Sequence, residues 1–224
     1  MRTADRTSSA VARLAFTGAA VSAAIRSATA PSSSAAGTTR LARPIACASV
    51  ARTARPVRQI SRAREYQAGF RWLRRPGIVS VAAVQGHAIG AGCQLALACD
   101  LRILTDDAQL RLPEATLGLV PDLTGTSTLV ELVGYSRALE ICLTGRAVRA
   151  TEAHAIGLAN LVVPAAALDG AVADLIAALT AAPVNASRAT AELVRSAVRN
   201  SPAEQDAAER AAQVLRLQEL VSGS

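Results

Sequence analysis

Apolar and polar positions along this chain change character near residue 64. Up to that point Ala, Arg, Ser, Thr and Pro follow one another with no sustained period of 2 or 3.6, so no regular element is predicted. Beyond it the pattern becomes readable. "AREYQAGFRWLRR" (63–75) carries apolar residues at helical spacing and stops at Pro76-Gly77. "IVSVAAV" (78–84) is a continuous, β-branched apolar run, as in a strand buried on both faces. A glycine turn follows, then a helix from about Ala91 to Ala98 and a second strand, "LRILT" (101–105). A third short segment, "AQLRLPEATLGLV" (108–120), leads past Pro121 into a helix, "LTGTSTLVELVG" (123–134). "SRALEICLTG" (136–145) predicts another helix, with Ser136 as candidate N-cap and Gly145 as C-cap. Thr151 is the candidate cap of "EAHAIGL", and "ANLVV" (159–163) is strand-like. After Pro164 the pattern is helical to the end, with breaks at Pro183 and Ser201-Pro202, where "SPAE" reads as a capping box.

These elements divide the chain into three parts: an atypical arm (1–64), an α/β body of strand–helix units (65–163) and a helical region (164–224). The last helices are amphipathic and rich in Ala and Leu, which suits packing on the body or on another subunit. No apolar run reaches the roughly 18 residues of a membrane span.

Charge sharpens the division. The arm holds 11 Arg against the single acid Asp5, a balance of +10, whereas residues 65–224 hold 13 Arg against 16 acids, a balance of −3. The formal +7 of the whole chain therefore belongs to the arm. Aromatics are 2% of the chain, so the basic face with interleaved stacking rings that nucleic-acid binding asks for is missing. Every cation is Arg, none is Lys, as a GC-rich bacterial gene would encode. Three readings of the arm stay open: a transit peptide, a disordered basic arm, or sequence that is not natural because a GC-rich gene was read out of frame. Cys47, Cys93, Cys99 and Cys142 form no C-x-x-C pair and have no His at ligand spacing, which suits small buried hydrophobes in a reducing cytosol.

The chemistry centres on "GHAIGAGCQLALACD" (86–100). A Walker A loop fails for want of a Lys, and a dinucleotide fingerprint fails because Leu95 stands where the third glycine belongs. What remains is a helix start whose first N–H groups, near Ala91 and Gly92, are free to meet an anion or a developing oxyanion. The plainer alternative is that these glycines only permit close strand–helix packing.

Four motifs then occur in order: G-x-x-x-G-x-G-x-x-L-x-x-x-C-D (86–100), P-E-x-x-x-G-x-x-P (113–121), L-T-G-R (143–146) and E-A-x-x-x-G-L-x-N (152–160). From Ile78 to Val163, and more loosely beyond, the chain resembles the crotonase superfamily, the enoyl-CoA hydratase/isomerase family. The resemblance implies an α/β spiral of ββα units with a C-terminal helical region, and assembly as a homotrimer or hexamer. It implies an acyl-CoA thioester substrate in fatty-acid metabolism, with no cofactor beyond the coenzyme A that the substrate carries, and a cytoplasmic setting. The N–H of Ala91 would be one of two donors that stabilise a thioester enolate, with His87, Gly90 and Pro121 bordering the substrate.

The resemblance also assigns side chains. Hydration in this family uses two carboxylates, and the matching positions here are Gln94 and Glu114. A Gln orients water but trades no protons near neutral pH, where general acid–base groups are worth about 10²–10⁴-fold. Double-bond isomerisation needs one base, which Glu114 could supply. Asp122 matches a second carboxylate of the dienoyl-CoA isomerase branch and equally reads as a helix N-cap. His87 suits a local bond and His154 a structural place. The family's other oxyanion loop, F-[SC]-[AS]-G-x-D-[LI], has no match in residues 1–64, where "AFTGAA" (15–20) is a faint echo. One such donor is worth about 2.7–4 kcal/mol, so a chain without it is expected to be weakly active or inactive. The rival is a non-catalytic acyl-CoA binder.

Overall fold

The structure, a computed structural model, describes residues 10–16 and 56–222. Its centre is a parallel sheet in the order β1 (Ala10–Phe16), β2 (Ile78–Val84), β4 (Leu101–Thr105), β7 (Leu161–Val163). A second, three-stranded sheet is ordered β3 (His87–Ile89), β5 (Gln109–Arg111), β6 (Ala147–Arg149), with β3 parallel and β6 antiparallel to β5. Two passes of the chain, from β2 through β3 and from β4 through β5, leave one strand in each sheet and then a helix. The helices are α1 (Pro56–Arg71), α2 (Ala91–Ala98), α3 (Gly125–Val133), α4 (Tyr135–Thr144), α5 (Ala150–Ala155), α6 (Leu168–Thr180), α7 (Val184–Ala197) and α8 (Pro202–Ser222). This is the ββα spiral with a helical C-terminal region that the motifs imply.

The apolar run of β2 explains its central place. Val81 and Ala83 face one way, with Ile103 of β4, onto Leu168 and Val172 of α6. Ala82 and Val84 face the other way into the main core, with Phe70 of α1, Leu95 to Ala98 of α2, and Leu129 of α3. Each large side chain buried this way contributes about 1.5–3 kcal/mol. Two-faced burial also explains why β2 lacks the alternation of a half-exposed strand.

Two expectations need correcting. No regular element was expected before residue 64, but Ala10–Phe16 pairs in parallel with all of β2, from Ala10 beside Ile78 to Phe16 beside Val84. The leading edge of β2 is therefore covered by a strand from the arm, and α1 begins at Pro56 within the arm as well. The other readings of residues 1–64, with Cys47 and "AFTGAA" beyond Phe16, lie outside the described residues. Second, two caps are misplaced. Helix α4 starts one residue before Ser136, on Gly134 with φ 78°, and α5 starts on the extended Arg149, which leaves Thr151 inside it. Gly145 does close α4 in the left-handed conformation, and Ser201 and Glu204 do form the capping box.

Much of the motif polarity serves this architecture. The Asp100 carboxylate accepts from the Ser80 N–H and hydroxyl at 2.8 and 3.0 Å and pairs with Arg195 of α7 at 3.1 Å. Arg102 is buried, donating to the carbonyls of Leu158 at 2.7 Å, Cys99 at 2.8 Å and Asp100 at 3.4 Å. Asn160 accepts from the Arg102 N–H at 2.8 Å and so locks β7 to β4. Arg146 joins Glu140 of α4 to Glu152 of α5, each at 2.7 Å. Among the described residues no single helix is long and apolar enough to cross a membrane, and no group of three or more His, Cys, Asp or Glu is placed to hold a metal ion.

Candidate active site

The glycine turn carries the chain from β3 into α2. Gly90, the N-cap, has φ 56° and ψ −121°, a conformation that a residue with a Cβ adopts only under strain. Its N–H donates to the Arg111 carbonyl of β5 at 2.9 Å, and its carbonyl accepts from the Gln94 N–H at 2.9 Å, the first bond of the helix ladder. The N–H groups of Ala91, Gly92 and Cys93 precede that bond and have no acceptor within the helix. They form the positive end of the helix dipole, where negative charge is stabilised.

Glu114, carried past β5 by "LPE", faces this helix start. The residue is 9% exposed, and a Cβ built on Gly90 would lie 3.7 Å from its Oε1. Oε1 accepts from Gln94 Nε2 at 2.8 Å. Oε2 is buried and has no hydrogen-bond partner among the described residues. A buried carboxylate oxygen without a donor is costly and marks a place where a ligand or water completes the site.

Gln94 is 1% exposed and is held at both ends. Its Oε1 accepts from the N–H of Leu123 at 2.8 Å and of Gly125 at 3.4 Å. These contacts span 29 and 31 positions of chain. Nothing in the spacing of the sequence signals them. They place the segment before α3 against α2 and make Gln94 the hub of the site.

The other candidate residues sit differently. Asp122 is exposed, two residues ahead of the N-cap of α3, which is Thr124, so it is not the helix cap. Its carbonyl accepts from Gln67 of α1 at 2.8 Å. Pro121 and Asp122 line a polar cleft of about 510 Å³ together with Gln67, Arg71, Thr124 and Ser127. Ala91, Gln94, Glu114 and Leu123 are not in its lining. His87 is exposed on β3 opposite Gln109, and among the described residues its side chain makes no local hydrogen bond. His154 Nδ1 meets the Ala159 carbonyl at 3.2 Å, a structural place.

Cysteine chemistry is not set up here. Cys93 and Cys99 are buried, and burial pushes both thiols up to about 12, with the Glu114 charge adding to the effect at Cys93. Both stay protonated near neutral pH and are poor nucleophiles.

A spiral of ββα units with a buried carboxylate beside an open helix start defines a crotonase-type protein. The family model for enoyl-CoA hydratase/isomerase matches residues 49–219, and the chain belongs to that family. A Thermobifida fusca protein described as an enoyl-CoA hydratase, solved in complex with acetoacetyl-CoA, is 58% identical with a TM-score of 0.70, over 71% of this chain and 63% of that one. Its complex with CoA aligns at 57% identity and a TM-score of 0.71, over 74% and 64%. Among curated relatives, the short-chain-enoyl-CoA hydratase of Clostridioides difficile is 49% identical over 85 residues, 38% of this chain and 54% of the relative. The glyoxysomal fatty acid β-oxidation multifunctional protein of Cucumis sativus is 46% identical over 95 residues, 42% of this chain and 13% of the relative. The chain thus spans less than two thirds of the length of each of these relatives.

Proposed function

We propose that the protein acts on an enoyl-CoA thioester of fatty-acid metabolism, moving protons on the acyl chain with Glu114 while main-chain N–H groups at the start of α2 hold the thioester oxygen. The observation that carries this reading is the unpartnered, buried Oε2 of Glu114 beside that helix start. Removing a proton from the carbon next to a thioester leaves negative charge on the carbonyl oxygen. Donors fixed before the reaction begins stabilise that charge at no reorganisation cost, and a single one is worth about 10²–10³ in rate. The Ala91 N–H is such a donor. The loop motif that supplies the family's second donor has no match in residues 1–64.

Gly90 and Pro121 border the substrate in this reading, whereas Asp122 lines the polar cleft, whose lining does not include Glu114. His87 stands at the outer rim of the glycine turn. The reaction needs no cofactor of its own, because the coenzyme A arrives with the substrate. Assembly as a homotrimer or hexamer fits α7 and α8, which bury no residue completely and expose Val194, Val198, Leu217 and Leu220. The free cysteines accord with the reducing cytosol we assign to it. The test is turnover of a 2-enoyl or 3-enoyl thioester by the full chain and by Glu114→Ala. Turnover that vanishes in the variant while thioester binding persists supports an enzyme, whereas tight binding without turnover by the wild type identifies a carrier.

A further inference from the structure

We propose that Arg111 is a positioning residue that holds the start of α2 and the turn carrying Glu114 at a fixed separation, the first with its main chain and the second with its side chain. This rests on the acyl-CoA reading above and adds a residue that lies in none of the four motifs.

Arg111 is the last residue of β5, between Ile89 of β3 and Ala147 of β6. Its carbonyl accepts from the Gly90 N–H at 2.9 Å, which fixes the N-cap one residue ahead of Ala91. Its guanidinium serves the other side of the site. Nε donates to the Gly145 carbonyl at 2.5 Å, across 34 positions of chain. Gly145 closes α4, so its carbonyl lies at the negative end of that helix's dipole, where a cation is favoured.

Gly145 in turn lies against the chain on both sides of Glu114. A Cβ built on it would stand 2.9 Å from Thr116 Cγ2, 3.1 Å from Pro113 Cα and 3.4 Å from the Leu112 carbonyl oxygen. Glycine alone permits that approach at a φ of 58°. The turn is tied to itself as well. The Thr116 hydroxyl donates to the Pro113 carbonyl at 2.7 Å, and the N–H groups of Leu117 and Leu119 donate to the Glu114 carbonyl at 3.0 and 2.9 Å. A turn bonded in this way moves as a body, so the place of Glu114 depends on what the turn rests against. It rests against Gly145, which Arg111 holds. Gln94 steadies one oxygen of the carboxylate, and Arg111 steadies the main chain that carries it. Without the guanidinium, Gly90 stays bound while the support under Glu114 loosens. A displacement of about 1 Å between base and oxyanion donor costs about 10²-fold in rate.

The test measures turnover of hex-3-enoyl-CoA and but-2-enoyl-CoA by the full chain, with kcat normalised to folded protein by thermal unfolding. Arg111→Met keeps the main-chain bond to Gly90 and loses the donor to Gly145. On whichever thioester the wild type turns over, it is expected to lower kcat at least about fivefold and to leave KM within about twofold. Arg111 is exposed, so this variant folds and decides the matter even where Gly145→Ala does not fold. Gly145→Ala presses on Thr116 and Pro113 directly and is expected to lower kcat at least as far. Adding Thr116→Ser, which removes Cγ2 and keeps the hydroxyl, is expected to restore part of that loss. The pair Arg111→Met and Gly145→Ala is expected to lose less than the product of the single losses, because both act on one contact. A wild-type kcat in Arg111→Met, a loss confined to KM, or fully multiplicative losses in the pair overturns the assignment and leaves the acyl-CoA reading standing. A folded wild type that turns over neither thioester overturns the two together.

Discussion

Replacing Gly125 with Ala perturbs the hub of the site without touching a polar atom. The added Cβ would lie 2.7 Å from Gln94 Cγ, 3.1 Å from its Oε1 and 3.3 Å from its Cβ. The nearest atom is mid-chain in a side chain that is 1% exposed and tied at both ends, so it cannot swing aside. Overpacking of this kind costs about 1–3 kcal/mol. Displacing the Gln94 oxygen from the Leu123 and Gly125 amides removes about 0.5–1.5 kcal/mol for each bond weakened. Against this, Ala in place of Gly in a helix gains up to about 1 kcal/mol. The net loss is about 1–5 kcal/mol, which at this chain length lowers Tm by about 2–20 °C. Gly170 in α6 is the matched control, because a Cβ there meets nothing within 4 Å. Gly170→Ala keeps the helix gain alone and is expected to raise Tm by about 2–4 °C. The two variants are compared by thermal unfolding and by turnover of the enoyl-CoA thioester of the proposed function, where Gly125→Ala is expected to lose at least about tenfold through misplacement of Glu114. Equal Tm shifts, or a Gly125→Ala variant with wild-type stability and rate, refute the packing argument.

Other expectations follow from the architecture. Arg102→Met strips the donor from three carbonyls, two of them bonded to it at 2.7 and 2.8 Å, and is expected to cost about 3 kcal/mol or more. An unchanged urea midpoint contradicts it. Hydrogen bonds from Arg146 hold the Glu140 and Glu152 carboxyls below their ordinary values, and the Ser201 N–H and hydroxyl do the same for Glu204. Folded values below unfolded ones mean stability that is fully present above the unfolded carboxylate pKa of about 4.3 and lost as pH falls through the folded values. Unfolding curves between neutral pH and acid are expected to show that loss, diminished by salt because the groups are exposed, and Arg146→Gln is expected to flatten it. A variant equally destabilised at every pH contradicts the linkage.

The elements legible in the sequence are those that a run of side chains specifies. The apolar run of β2 and the amphipathic helices after Pro164 fall where their periodicity places them. Strands β3 and β6 are too short to carry a period; each exists because its register against β5 is available. The caps expected at Ser136 and Thr151 fail because the helices begin earlier, on Gly134 and Arg149, with no side-chain cap at either. The site divides similarly. The resemblance pairs Gln94 with Glu114, twenty positions on, as candidates, and the two side chains do meet. Gln94 accepting from Leu123 and Gly125 depends on how the segment before α3 folds back, which local sequence does not encode. Of the motif residues, Asp100, Arg146, Glu152 and Asn160 join elements together, and only the glycine turn and the Pro113-Glu114 step point at chemistry. The strand at Ala10–Phe16 was hidden by its surroundings, because an Ala- and Arg-rich context blurs the alternation of a seven-residue segment.

The most direct measurement is exchange of the C2 protons of a saturated acyl-CoA thioester in D₂O, followed by NMR with wild type and Glu114→Ala at matched occupancy. It reports enolate formation and base together, whatever the later steps are. Deuterium is expected to enter C2 with the wild type and to enter at least about 10²-fold more slowly with the variant, which still binds the thioester. Exchange at equal rates in both proteins, or a bound thioester whose C2 protons never exchange, contradicts the pairing of the α2 amides with Glu114.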